Sequence, residues 1–128
     1  MKTKILSRIL LISALLVAGC GKGWQMDYGE PAAQFLQNDV ATKGKAFVGK
    51  KITVKGTVSG VDVTKPGSAQ LRLTGGIECN LGKFKLMAEG CKLGDTVFVD
   101  GFLKRCQAGD VLIDPAYLRD PTAPFNPQ

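Results

Sequence analysis

Apolar residues recur at every second position along most of this chain, and the few places where that period breaks mark its joints. From residue 50 onward, Ile52, Val54 and Val58 alternate with Thr53, Lys55 and Thr57, and Gly56 falls on the apolar side. Such alternation marks a strand with one buried face. Val61 and Val63 then fall one residue out of phase, beside Gly60. A one-residue slip at a glycine predicts a β-bulge, and a long strand with a bulge and internal glycines bends sharply. Leu71 and Leu73 predict a second strand, and Ile77, Cys79 and Leu81 a third. Turns are expected at residues 65–68 and at Gly75-Gly76. Phe84 and Met87 lie three apart, which fits one short helix over residues 83–89 ended by Gly90. Val97, Val99 and Leu103 interleave with Phe98 and Phe102 in a fourth strand, apolar on both sides and therefore expected to be well buried. Residues 107–110 turn the chain into a fifth strand over 111–113. Upstream, Leu36 and Val40 keep helical spacing and Pro31 suits a first helical position, so a helix is predicted over residues 31–43, stopped by Gly44. From Asp120 the chain has three prolines in nine residues, which predicts a loose tail over 120–128.

The resulting order is a helix, three strands, a short helix and two strands. Short turns join the first three strands into a meander. A helix between strands three and four is what a five-stranded OB barrel carries at that point. The fold class expected is therefore all-β: an OB-fold barrel over residues 31–119, preceded by an N-terminal helix. The competing architecture is some other small antiparallel β domain.

Several stretches also carry a family resemblance. These are Asn38, Ala41 and Ala46 around the leading helix, and residues 49–58 (GKKITVKGTV) in the first strand. Leu71-Arg72-Leu73, Ile77-Glu78-Cys79, residues 93–97 (LGDTV) and Val99-Asp100-Gly101 complete the set. Together they resemble the OB-fold proteins grouped as tRNA_anti-like, many of which are small bacterial lipoproteins. The resemblance spans roughly residues 31–118 and implies the fold more than any activity. Members often carry a second cysteine on the last strand, where Asp114-Pro115 stands in this chain.

The N-terminus points the same way. Lys2, Lys4 and Arg8 precede an apolar run from Ile9 to Val17, broken only by Ser13, and Ala18-Gly19 supply small residues beside Cys20. This is the layout of an export signal over residues 1–19. The run is shorter than the roughly 20 residues that span a bilayer. Val17-Ala18-Gly19-Cys20 resembles the lipobox of bacterial lipoproteins, which implies diacylation of Cys20. Two acyl chains at about 0.8 kcal/mol per buried CH2 give stable anchoring. The competing reading is an ordinary signal with a chance cysteine. Residues 20–30 would then be a linker, with Trp24 and Tyr28 near the membrane surface. Gly21, where an aspartate would mark retention, favours the outer membrane over the inner one in enteric-type bacteria. The location implied is the cell envelope, facing the periplasm.

Charge adds little. Three of the 17 basic residues lie in the leader, leaving 14 against 11 acidic residues and a net +3, a weak field for a polyanion. No Phe, Tyr or Trp occurs from Val48 to Lys83. That interval holds strands one to three, where an OB fold would carry its base-stacking platform. The outward residues there (Thr53, Lys55, Thr57, Arg72, Glu78 and Asn80) make a polar surface of mixed charge, so nucleic acid is disfavoured. The chain has no histidine. Without it, imidazole acid–base catalysis, Ser-His and Cys-His pairs and most zinc and haem ligation are lost. Asp62, Asp95, Asp100, Asp110 and Asp114 have no spacing that forces two carboxylates together. No catalytic residue, metal ligand or cofactor is assigned.

With Cys20 lipidated, Cys79, Cys91 and Cys106 remain. In an OB barrel the later half of strand three and the start of strand four can approach, which predicts a Cys79–Cys91 disulfide. Its loop of about 13 residues would contribute roughly 3 kcal/mol in the chain-entropy account. The alternative is Cys79 as a buried free thiol filling core space. Cys106, in the turn between the last two strands and beside Lys104 and Arg105, is left as the free thiol; exposed, it would have a lowered pKa and could join two molecules, but simple packing is the favoured reading. The sequence thus favours a membrane-anchored, non-enzymatic binding module for an envelope protein or glycan. Its loops at residues 62–69 and 106–110 carry the candidate contacts Lys65, Lys104 and Arg105. The alternatives are an envelope thiol protein and a weak polyanion binder.

Overall fold

The computed structural model describes residues 30–128. The leader, Cys20 and the linker aromatics Trp24 and Tyr28 lie outside the described residues. Within them the elements are β1 (Ala33–Leu36), α1 (Val40–Lys43), β2 (Lys51–Asp62), β3 (Ala69–Leu73), β4 (Ile77–Gly82), α2 (Lys85–Glu89), β5 (Thr96–Gln107) and β6 (Asp110–Leu118). A single 3-10 turn over Lys45–Phe47 follows α1. The sheet runs β1-β2-β3-β4-β6-β5, and β2 pairs again with β5 to close five strands into a barrel. This is an OB fold, with β4 and β6 parallel and α2 between β4 and β5.

β2 carries the closure. Its first half pairs antiparallel with β5 from Lys51↔Phe102 to Thr57↔Thr96. Its second half pairs with β3 from Val58↔Leu73 to Asp62↔Gln70, and the register slips between Val58 and Gly60. The phase change at Gly60 in the sequence is this bulge. Beyond it, the strand leaves one neighbour and serves another.

The predicted helix over 31–43 is only partly formed. Ala33–Leu36 is instead a strand, parallel to β2 at Ala33↔Ile52 through Leu36↔Lys55. β3 bends away at the bulge and leaves the first half of β2 with an open edge, which β1 fills. Phe35 is fully buried there and meets the Phe47 ring edge-on at 5.7 Å. Burying that ring contributes about 2–3 kcal/mol. Helix propensities differ by only tenths of a kcal/mol per residue, so over four residues the sheet edge wins.

β6 also runs further than predicted, through Pro115 to Leu118. Against it, Gly101 pairs with Ala116 but Leu103 pairs with Ile113. Asp114 and Pro115 therefore sit in a bulge, the place where a strand tolerates proline. At this crossing a Cβ on Gly101 would lie 2.4 Å from both Ile113 Cγ2 and the Pro115 carbonyl oxygen. α2 closes one end of the barrel with Met87 and Ala88 buried, and Met87 Sδ accepts the Leu118 N–H at 3.1 Å.

Residues 120–128 contain no helix or strand, yet they do not hang free as the sequence predicts. Asp120 Oδ1 accepts from Thr122 N and Oγ1 at 2.8 and 2.7 Å, a turn that sends the chain back across β1. Those bonds hold the Asp120 carboxyl below its ordinary pKa. The Gln128 N–H donates to the Gln34 carbonyl at 2.9 Å, and the Asn126 N–H donates to Gln34 Oε1 at 2.6 Å. Thr53, read from the alternation as outward, and Asp100 are both covered. Thr53 is 0% and Asp100 5% exposed, although both point out of the barrel. Thr53 Oγ1 donates to Asp100 Oδ1 and accepts from Arg119 Nη1 at 3.0 Å, and that guanidinium lies 3.8 Å from Asp100.

Gly101→Ala is expected to lower unfolding free energy by about 1–3 kcal/mol, because its methyl has no room. Gly60→Ala, whose methyl would meet only Arg72 side-chain carbons at 3.6 Å, should change it by no more than about 0.5 kcal/mol. Urea denaturation of both variants checks the contrast.

Candidate binding face

Outward side chains on the barrel strands line up into rows, because each register pairing puts neighbours on the same face. One row crosses five strands: Gly60 pairs with Arg72, Arg72 with Glu78, Glu78 with Leu112, and Leu112 with Arg105. Asp62, Gln70 and Asn80 form the adjacent row across β2, β3 and β4. The surface is polar and of mixed charge, and it carries no aromatic ring on β3 or β4. Leu112 is the half-buried apolar patch within it.

Two exposed ion pairs organise the first row. Arg72 Nε lies 3.6 Å from Glu78 Oε1 across the β3–β4 pair. Arg105 donates to Asp110 Oδ1 from Nε at 3.3 Å and from Nη2 at 3.1 Å across the β5–β6 hairpin. Exposed pairs of this kind contribute at most about 1 kcal/mol each to stability, so their effect is mainly to hold side chains in place. The groove between them has a volume of about 630 Å³, lined by Ser59, Arg72, Glu78, Arg105, Asp110 and the two glycine turns.

Backbone packing fixes the groove's floor. Gly76 has φ +77°, and a Cβ there would lie 2.4 Å from the Gly109 carbonyl oxygen. The Val111 N–H also donates to the Gly76 carbonyl at 3.0 Å. The β3–β4 and β5–β6 turns are therefore pressed together, and this contact brings Arg105 and Asp110 beside Arg72 and Glu78.

The three candidate contacts do not form one site. Arg105 belongs to the groove just described. Lys104 is exposed beside it on β5: Leu103 pairs with Ile113 but Arg105 with Leu112, so Lys104 is an extra residue in a bulge. Lys65 lies beyond the opposite end of β3, about 13 Å of strand away. There it lines a smaller groove of about 260 Å³ with Lys83 and Lys85. Lys85 is 3.7 Å from Glu89, and the Lys83 ammonium sits over the Phe84 ring at 5.8 Å. Beside that groove, Asp62 Oδ1 accepts from Thr64 N and Oγ1 at 3.0 and 2.6 Å. These bonds first, with Lys65 and Arg72 adding to them, hold the Asp62 carboxyl below its ordinary pKa. Sequence reasoning placed Arg72 and Glu78 outward but did not join them to Arg105. The signal was present in the strand alternation, but the parallel β4–β6 register that joins the hairpins was not.

The cysteines correct a second expectation. Cys79, Cys91 and Cys106 are all free thiols, so the predicted Cys79–Cys91 bond is absent from the structure. Cys79 is fully buried in the barrel core, opposite Leu71 and Ile113. Cys91 lies after α2, with Sγ donating to the Met87 carbonyl at 3.6 Å. The alternation in the third predicted strand does place Cys79 inward, as it is here. Cys106 is packed, and it lies in strand β5 rather than in the turn expected. At 7% exposure it donates from Sγ to the Val40 carbonyl at 3.1 Å, tying α1 to the barrel. Burial pushes all three thiols above the ordinary value. At Cys91 the nearby Asp95 adds to it, and at Cys106 Lys45 offsets part of it. This is the reverse of thiolate activation. Among the described residues no three of Cys, Asp and Glu gather where they could hold a metal ion.

No family model matches the chain, and no curated protein matches it. Among solved structures, one described as a putative aspartyl-tRNA synthetase from Leishmania major Friedlin is similar, with TM-score 0.50 and 11% identity. The match covers 83% of this chain and 26% of that one. This chain thus corresponds to about a quarter of that protein, and at such identity the likeness is one of fold.

Alkylation of the native protein at mildly alkaline pH is expected to modify Cys91 first and Cys106 more slowly. Cys79 should react only after unfolding. Peptide mass spectrometry with and without denaturant checks the order.

Proposed function

We propose that this chain is a lipid-anchored protein of the bacterial envelope whose OB barrel binds a protein or glycan partner without transforming it. The observation that supports binding is the groove between the Arg72–Glu78 and Arg105–Asp110 pairs. Two guanidinium–carboxylate pairs, each able to exchange its internal partner for an external one, offer donors and acceptors side by side. Hydroxyls and amides of a glycan or a peptide backbone match that surface. A polyanion matches it poorly, since each arginine already faces a carboxylate at 3.6 or 3.1 Å and the row lacks stacking rings.

The anchoring half of the proposal comes from the leader. Lys2, Lys4 and Arg8, the apolar run and Ala18-Gly19-Cys20 support processing at Cys20 and acylation of its thiol. The resemblance to tRNA_anti-like lipoproteins supports the same reading, and Gly21 favours the outer membrane. Restriction to the envelope also supports a protein or glycan occupant, because those are the polymers met there.

Intact cells carrying the full chain should yield a crosslinked partner. Arg72→Glu/Arg105→Glu should reduce its capture by about tenfold or more, equivalent to about 1.4 kcal/mol. Lys65→Ala, in the other groove, should leave it unchanged. Labelling with radioactive palmitate should mark the chain and be lost in Cys20→Ser. Unchanged capture by the double variant would remove the groove from the binding role. An unlabelled chain would remove the anchor.

A further inference from the structure

The tail lies on a second part of the barrel wall. Gln34, Thr53 and Asp100 form a row across β1, β2 and β5. Leu36, Lys55 and Phe98 form the adjacent row. Across them lies an extended segment, Pro124 to Gln128. Gln34 reads its backbone from both sides: Nε2 donates to the Pro124 carbonyl at 3.4 Å, and Oε1 accepts the Asn126 N–H at 2.6 Å. Arg119 Nη2 donates to the same Pro124 carbonyl at 2.9 Å. The Phe125 ring stands edge-on to Phe98 at 5.2 Å, and the Lys55 ammonium lies 5.6 Å from the Phe98 ring centre.

Arg119 is oriented by Thr53 and Asp100 beneath it. Gln34 sits in a paired strand, and Phe98, the third residue of β5, pairs with Lys55 of β2. The backbone of the set and the Arg119 side chain are held by the barrel, while the Gln34 carboxamide bonds the tail itself. A glutamine that bonds both a C=O and an N–H treats its occupant as a generic extended backbone. Selectivity falls to one aromatic contact following a proline. Beside the tail a cleft of about 430 Å³ remains, lined by Pro31, Ala33, Gln34, Arg119, Asn126 and Gln128, and Leu36 stays 42% exposed.

We propose that this groove is a docking site for an extended proline–aromatic segment of a partner protein, occupied in cis by residues 120–128 until that segment displaces them. The proposal is independent of the binding face above, because it uses a different part of the wall. A short connection gives the tail an effective concentration of order millimolar. A partner segment must therefore bind better than the tail, or be locally concentrated, before it takes the site.

The test uses the full chain and a fluorescein-labelled peptide with the sequence of residues 120–128. Phe125→Ser/Asn126→Pro removes the ring and the N–H that Gln34 accepts, and so loosens the tail while leaving the barrel. The peptide should bind this variant at least tenfold more tightly than the unaltered chain, by anisotropy. Adding Gln34→Ala should abolish the gain, as should a peptide with serine in place of phenylalanine. Equal binding to both chains, or binding indifferent to Gln34→Ala, would overturn the proposal. If the unaltered chain forms a dimer that the peptide dissolves, the occupant is a second copy and the assignment to a foreign partner falls. Should the double variant fail to fold, hydrogen exchange of the unaltered chain decides. The Asn126 and Gln128 amides should exchange through a local opening insensitive to denaturant. Exchange only through global unfolding would overturn the proposal.

Discussion

One strand has to serve three neighbours. β2 pairs with β5 along one edge. Along the other it pairs first with β1 and then, past the slip at Val58–Gly60, with β3. Twelve residues at about 3.3 Å each would run about 40 Å if straight, too long for a wall of this size. Bending at the bulge makes the strand a corner of a closed barrel, and nearly every other feature follows from that corner. It opens the edge that β1 occupies. It also divides the outer surface into two regions, since side chains before and after a one-residue slip belong to different rows.

Those regions have opposite character for a physical reason. On the β3–β4 side, neighbouring turns touch through glycine backbone, so nothing bulky covers the rows and the charged side chains stay wet. Arg72 and Arg105 pair with carboxylates they can leave at small cost, as exposed pairs can. On the β1–β5 side the rows lie under a peptide. Asp100 and Thr53 are buried, and a charge in that position needs partners, because its desolvation cost is several kcal/mol. Arg119 supplies the charge and Thr53 the hydroxyl. The Pro124 carbonyl then accepts from Nη2 of the same guanidinium. Tail docking and the buried polar cluster are one arrangement, and neither is satisfied in this way without the other.

The legible part of the sequence was whatever depends on a local period. The bulge at Gly60, the hairpin turns, the helix before β5 and the barrel order all follow from alternation and its breaks. What was hidden depends on who sits beside whom. Ala33–Leu36 has helical neighbours and becomes a strand only because a β2 edge is vacant. Asp114-Pro115 stops a local reading of β6, yet a bulge carries the strand through it. Three prolines in nine residues signal a tail without order of its own, and composition cannot tell that Gln34, ninety residues upstream in sequence, supplies the missing partners. For the groove, alternation set Arg72 and Glu78 outward, but only the parallel β4–β6 register brings Arg105 to them. Among the cysteines, alternation set Cys79 inward, where it is buried, whereas the seat of Cys91 against the Met87 carbonyl depends on how α2 packs.

The absence of aromatic residues between Val48 and Lys83 takes on a different meaning in three dimensions. In sequence it argues against a stacking platform on the usual OB face. In the fold, an outward aromatic ring lies at Phe98 on β5, where it meets Phe125 and is approached by Lys55. Polar hydrogen bonding dominates one region and ring contact the other. The ion-paired region offers donors and acceptors that already hold one another. The other region meets backbone groups of residues 124 and 126 through one side chain, with a ring beside them, an arrangement that fits an extended chain in one register. The same small barrel therefore presents two chemically distinct surfaces, and the bend in β2 keeps them apart.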